Sequence, residues 1–122
     1  MKALLPLLLA LIFAAPAAAQ VDSLPKVHAR LIAEHDAVAP GATETIAFEQ
    51  VIRPGWHTYW LNPGDVGQPT MLAWSLPSGW SSGPLQWPYP KRLPVGPFMD
   101  YGYEGKAWIL ATVTAPADAR PG

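Results

Sequence analysis

Cysteine is absent from the 122 residues. Without it there is no disulfide-stapled mini-fold, no structural zinc site built on thiolates and no lipoprotein anchor. Stability has to come from an ordinary apolar core. Charge is sparse as well: eight Lys and Arg stand against nine Asp and Glu, with no basic block. A near-neutral chain of this kind lacks the electrostatic footprint of a nucleic-acid binder and offers anionic lipid no polybasic patch. Helical periodicity is missing beyond the first twenty residues, where no useful apolar stripe recurs at i, i+3, i+4 and i+7. No Ser-His-Asp order, Gly-rich phosphate loop or pair of catalytic carboxylates stands out, so hydrolase and nucleotide-binding readings stay weak. No cofactor is expected.

What is present begins with an export signal. Met1-Lys2 gives a short positive start, and the apolar run Ala3 to Ala15 is broken only by Pro6. Pro16 and Ala17-Ala18-Ala19 then supply a helix breaker and small residues, which places cleavage before Gln20. A membrane anchor is the rival reading. A spanning helix needs roughly 20 apolar residues, whereas the 17 uncharged residues Ala3 to Ala19 include two prolines. Removal of residues 1–19 takes away Lys2 and leaves 103 residues with seven basic and nine acidic side chains, a net charge of −2. That length is one domain, residues 20–122.

Fifteen prolines and ten glycines are too many for a helical protein of this size and read as loop punctuation in an all-β chain. Val27 to His35 alternates with period two, Val27, Leu31 and Ala33 facing the core and His28, Arg30 and Glu34 facing water. Thr43 to Ile52 is a strand between the turns at Pro40-Gly41 and Pro54-Gly55, with a helix as the rival. Its change of side near Gln50 suggests a bulge. Trp56 to Trp60 is a short aromatic strand entering a turn at Asn62-Pro63-Gly64-Asp65. Thr70 to Leu76 reads as a strand carrying Leu72, Trp74 and Leu76. Leu85 to Trp87, bounded by prolines, is an edge or connector, and Pro88 to Gly105 is long and irregular. Lys106 to Ala115 is the clearest late strand, with Ile109, Ala111 and Val113 opposite Trp108, Leu110 and Thr112.

Short strands with turn signals every 8–15 residues suggest an immunoglobulin-like β-sandwich, preceded by the signal-peptide helix. Five or six strands are accounted for, against about seven in a closed sandwich. With a turn signal at Ala119 to Gly122, the expectation is a sandwich incomplete at its C-terminus, a fragment of a longer domain.

The continuous run Pro54-Gly55-Trp56-His57-Thr58-Tyr59-Trp60-Leu61-Asn62-Pro63-Gly64-Asp65-Val66-Gly67 is more specific than any single motif. It is joined by Trp87-Pro88-Tyr89-Pro90 and Tyr101-Gly102-Tyr103-Glu104. Together these resemble the N-terminal periplasmic domain of DsbD/ScsB-type thiol:disulfide interchange proteins, from about Val27 to Ala115. The resemblance implies an immunoglobulin-like domain outside the inner membrane. Its partners would be a membrane-embedded electron-transfer domain, expected in the same full-length chain, and periplasmic thioredoxin-like proteins. The parent, anchored in the inner membrane, would reduce periplasmic disulfides, and some relatives are associated with cytochrome c biogenesis or copper tolerance. The family's cysteine pair is expected beyond the strand matching Lys106 to Ala115. Without a thiolate this stretch cannot exchange disulfides, so no catalytic residue is assigned within it. The family's aromatic cap loop would correspond to Asp100 to Lys106, with Tyr101 or Tyr103 as the shielding ring and Gly102 and Gly105 giving freedom to move. The plainer alternative packs both tyrosines at the sandwich rim.

The remaining candidates have structural rivals. His57 and Asp65 could bring an imidazole and a carboxylate together. No third ligand is near, however, and a metal site wants several converging groups. His57 is expected to be a structural residue hydrogen-bonded beside the loop. Asn62, Pro63, Gly64, Asp65 and Gly67 fit turn chemistry, Asn and Asp side chains bonding amides two residues on. Trp56, Tyr59, Trp60, Trp74, Trp80, Trp87 and Trp108 could form a sugar-stacking platform, but most are expected in the core of so small a domain. The competing function is a non-catalytic periplasmic module that binds a protein or glycan.

Overall fold

The computed structural model describes residues 23–121, and the expected signal peptide, residues 1–19, lies outside them. The described residues carry seven strands: β1 (Val27–Ala33), β2 (Thr43–Ile52), β3 (Thr58–Gly64), β4 (Ser81–Ser82), β5 (Lys91–Val95), β6 (Phe98–Tyr103) and β7 (Lys106–Thr114). All pairings are antiparallel. One sheet has the order β1-β2-β7-β4, the other β3-β6-β5. This is the all-β, immunoglobulin-like sandwich that the alternating strands imply.

The four-stranded sheet is the regular one. β2 and β7 pair without interruption from Thr43↔Thr114 to Val51↔Lys106, and β1 adds seven pairs to the far edge of β2. The period-two pattern of β7 is realised as read. Ile109 and Ala111 are all but inaccessible, Ala107, Val113 and Ala115 are buried, and Trp108 on the opposite face is half exposed. Ile52, Tyr103 and Ala107 form a buried cluster, with Val27, Trp60 and Trp87 packed against it.

Five expectations need correction. First, β2 has no bulge, because its register is continuous through Gln50. Ile46, Phe48, Gln50 and Ile52 share one face. The apparent change of side arises because the inward Gln50 is polar, 4% exposed, with both ends of its amide used. Gln50 Oε1 accepts from Thr58 Oγ1 at 2.7 Å, and Nε2 donates to Thr70 Oγ1 at 2.9 Å. A buried amide so satisfied is compatible with a core position, and this one links the two sheets.

Second, the irregularity sits in β3. Tyr59 pairs with Gly102 and Gly64 with Asp100, so four intervening β3 residues face one on β6. The strand therefore runs through Asn62-Pro63, and the bend follows at Asp65 to Gly67. Third, Pro88 to Gly105 contains the β5–β6 hairpin, joined at Gly96-Pro97 with Val95 opposite Phe98. Its two prolines, Pro94 and Pro97, disguise it. Pro94 is tolerated because β5 is an edge strand, where a missing N–H costs no ladder bond.

Fourth, Thr70 to Leu76 keeps the period-two exposure of a strand, with Leu72, Trp74 and Leu76 half-buried, yet joins no ladder among the described residues. It lies across the inner side of the large sheet. Trp74 and Leu76 there border a hollow of about 340 Å³ with Leu31, Ile46, Trp80 and Val113. Leu31, expected in the core, is 57% exposed at this thinly covered end. Fifth, none of the six tryptophans is fully buried. Trp56 and Trp108 are about half exposed and the others half-buried. They cover the edges of a core whose centre is made of smaller side chains.

Candidate functional site

The residues singled out in the sequence converge on the three-stranded sheet. Asn62 Oδ1 accepts from the Gly64 amide at 3.2 Å, the two-residue local bond expected of an Asx side chain. Asp65 does something else. Its backbone N donates to Met99 O at 3.0 Å, and its Oδ2 accepts from Met99 N at 2.8 Å. Asp65 thus clamps the loop onto β6 instead of bonding two residues on. Gly64 (φ +90) lies so close to the backbone of Met99 and Asp100 that a side chain would collide with both. Gly67 lies against the ring of Tyr59. Pro63 occupies the interrupted part of β3, where the ladder needs no N–H from it.

Beneath this loop lies the acid that the sequence reading did not pair with His57. The His57 Nε2 atom is 4.0 Å from Asp100 Oδ2, while Asp65 is engaged with Met99. Asp100 is completely buried in β6. Its Oδ1 accepts from the Val66 amide at 3.0 Å, and its Oδ2 has no hydrogen-bond partner. His57 also lies 3.2 Å from the Tyr59 hydroxyl, the two rings edge to face at 5.0 Å and 82°. At 4.0 Å the imidazole and carboxylate interact electrostatically and are too far apart for a hydrogen bond. Burial of a carboxyl group is costly unless it is hydrogen-bonded or paired, and the Val66 amide and the His57 ring are the polar groups that face Asp100. No group of three or more His, Asp and Glu capable of holding a metal ion occurs among the described residues. The cluster offers no nucleophile. It fixes the Asn62–Gly67 loop against β6. The one signal that could have drawn attention to Asp100 is a lone acid within Phe98-Met99-Asp100-Tyr101.

The expected cap segment divides. Tyr101, Gly102 and Tyr103 belong to β6, and only Glu104-Gly105 forms the turn into β7. Gly102 is not a hinge: β3 crosses it so closely that a Cβ would overlap the Thr58 carbonyl and reach Tyr59 Cα at 3.0 Å. Tyr103 is a core residue, 5% exposed, whose hydroxyl donates to Pro88 O at 2.7 Å. Burial pushes this phenol up to about 12. Glu104 is exposed, with its carboxylate 3.8 Å from Lys91 Nζ.

Tyr101 instead lines an aromatic groove of about 410 Å³ together with Trp60, Trp87, Pro88, Tyr89 and Arg92. Trp56 stands apart, half exposed, with Lys26 Nζ 4.9 Å from its ring centroid. The candidate residues thus form a clamped loop over His57 and Asp100, and a groove around Trp60 and Tyr101.

The loop run and the β3–β6 clamp lie within the stretch that a family model matches. Residues 28–121 match the N-terminal domain of the thiol:disulfide interchange protein DsbD. The chain belongs to the DsbD N-terminal family. No curated protein and no solved structure matches it. DsbD N-terminal domains are periplasmic as a family, and the match covers every strand except the first residue of β1. Among the described residues, the run from Gly55 to Gly67 serves two purposes: Asn62, Gly64 and Asp65 build the loop, while His57, Tyr59 and Trp60 face what lies beneath and beside it.

Proposed function

We propose that this chain is the N-terminal part of a periplasmic disulfide reductase. In this reading, electrons come from a membrane-embedded domain and pass to periplasmic thioredoxin-like proteins and disulfides, with copper-stressed thiols among the targets. The observation that carries the reading is the family match over residues 28–121. None of the 122 residues is a cysteine, and exchange needs a thiolate nucleophile. The thiols must therefore be supplied by residues outside these 122 or by a partner. The role left to these residues is to present a partner surface: the clamped Asn62–Gly67 loop and Tyr101. Of the two tyrosines, Tyr101 is the shielding ring in this reading, and the burial of Tyr103 and its bond to Pro88 O support that choice. The reading includes export after residue 19 and a domain over residues 20–122.

The test is genetic and direct. The gene is deleted, and the thiol state of periplasmic thioredoxin-like proteins is followed by alkylation and gel shift, with and without copper. Their accumulation in oxidised form, reversed by the intact gene, is the expected outcome. An unchanged thiol state under both conditions refutes the relay. A second reading, a non-catalytic periplasmic binding module, is favoured by the lack of thiols together with the aromatic groove. It predicts partner capture by the intact protein with no change in any thiol.

A further inference from the structure

The groove between Trp60, Trp87 and Tyr101 has three features that the redox reading does not use. The first is Tyr89, which is 97% exposed yet sits between Pro88 and Pro90 in a segment held down by the Tyr103 hydroxyl on Pro88 O at 2.7 Å. A large ring kept in water on a rigid backbone loses little freedom when something covers it. Rigid aromatic rings of this kind are the usual anchors of binding surfaces. The second is the lining, which consists of aromatic rings and prolines around a volume of about 410 Å³, within the size range of ligand pockets. The third is Arg92. It lines the same groove, and no carboxylate among the described residues pairs with it, whereas its neighbour Lys91 is near Glu104. The guanidinium is permanently charged and suited to forked recognition of a carboxylate.

From these features we infer that the groove binds an extended, proline-containing acidic peptide segment, its prolines packed on Trp60, Trp87, Tyr89 and Tyr101 and a carboxylate on Arg92. Aromatic-lined grooves take polyproline II segments because such segments are already extended and lose little entropy on docking. The lone cation selects acid over neutral sequence. A glycan would need several polar side chains around the stacking rings, and the lining supplies few beyond Arg92 and the tyrosine hydroxyls. The inference goes beyond the electron relay, since it requires no thiol and stands whether or not the parent transfers electrons.

The experiment uses the intact protein and three probes: a nine-residue Pro-Pro-Glu repeat, the matching Pro-Pro-Gln repeat, and maltohexaose. Tryptophan fluorescence and calorimetry follow each titration. The acidic repeat is expected to give saturable binding, about tenfold tighter than the neutral repeat, as one charge-assisted contact provides. Arg92→Gln should abolish that difference, and Tyr89→Ala should weaken both peptides. Both side chains are exposed, so loss of fold does not confuse the result, and the denaturation midpoint of each variant checks this. Equal binding of the two repeats, binding of the sugar alone, or no saturable binding of any probe overturns the proposal. Peptide binding in a strain whose periplasmic thiols are unaffected by the deletion would leave this inference standing and remove the relay.

Discussion

Replacing Gly102 with alanine tests the closest approach in the site. The added Cβ would overlap the Thr58 carbonyl oxygen and lie 2.9 Å from Thr58 C and 3.0 Å from Tyr59 Cα. Carbon atoms pack comfortably at about 3.5–4.0 Å, and the obstructing atoms are backbone, so no rotamer change relieves the overlap. β3 and β6 must move apart where Thr58 pairs with Tyr103 and Tyr59 with Gly102. Forced overpacking costs about 1–3 kcal/mol, and two weakened ladder bonds add about 0.5–1.5 kcal/mol each. A loss of about 3 kcal/mol is expected, a large part of the roughly 5–15 kcal/mol that holds a domain together. At an m-value of about 1.5 kcal/mol/M the urea midpoint falls by about 2 M. Gly105→Ala is the control. Gly105 has φ +72 but open space where its Cβ would go, so only the left-handed backbone penalty of about 1–2 kcal/mol applies. Urea denaturation of both variants in the intact protein, followed by tryptophan fluorescence, decides the matter. If Gly105→Ala loses as much as Gly102→Ala, the β3–β6 contact is not the constraint described here.

Asp100→Ala leaves the Val66 amide without its acceptor and should cost about 1–3 kcal/mol. Asp100→Asn keeps an acceptor for that amide, so it should be the milder change by denaturation midpoint; equal losses would mean that the Val66 bond is not what matters. Tyr103→Phe gives up the bond to Pro88 O and should cost about 1 kcal/mol. In the wild type, Tyr103, pushed up from 10.0 to about 12 by burial, should stay neutral in an absorbance titration until the pH approaches that raised value. Its contribution to stability is complete below pH 10 and lost as pH rises towards 12. The fourth prediction concerns His35 and Glu44, joined by a 2.6 Å bond from the His35 amide to Glu44 Oε1 and a 3.0 Å contact between Nδ1 and Oε2. Hydrogen bonding to Glu44 raises His35 above 6.5, and the His35 amide holds Glu44 below 4.5. The His35 contribution is full below pH 6.5 and fades as pH rises through its raised value; that of Glu44 is full above 4.5 and fades as pH falls through its lowered value. Urea midpoints across pH 3–9 should therefore peak between these limits, and His35→Gln should flatten the alkaline side.

Sequence patterning carried the large sheet well and the small one poorly, for a physical reason. β7 obeys period two because one face meets the core, so Ile109, Ala111 and Val113 stand out by apolarity alone. β5 and β6 hide because Pro94 and Gly96-Pro97 look like loop residues unless one knows that β5 lies at a sheet edge. Gln50 imitates a bulge because single-residue polarity does not tell an inward amide with partners on Thr58 and Thr70 from an outward one. In the site, the local features were legible: the Asn62–Gly64 bond spans two residues. The long-range ones were not. His57 meets Asp100 instead of Asp65, a pairing fixed by the β3–β6 register and invisible to spacing. Likewise Glu49, held below 4.5 by Arg30 and the Trp108 indole, joins three separate stretches that no motif connects.

The two sheets divide the work of the domain unequally. β2 and β7 share nine consecutive pairs and β1 and β2 seven, whereas β3 and β6 share three across an interruption. Several awkward features lie on the weaker side: a fully buried acid with one oxygen unpaired, a proline within a strand, glycines pressed against backbone, and an exposed ring braced by prolines. Binding elements come from the low-stability end of a structure, because they must keep polar and aromatic groups unsatisfied until a partner arrives. The Gln50 amide, donating to Thr70 and accepting from Thr58, explains how the small sheet tolerates this arrangement. It is tied to the large sheet at Thr58, the first residue of its edge strand β3, with both ends of the Gln50 amide engaged.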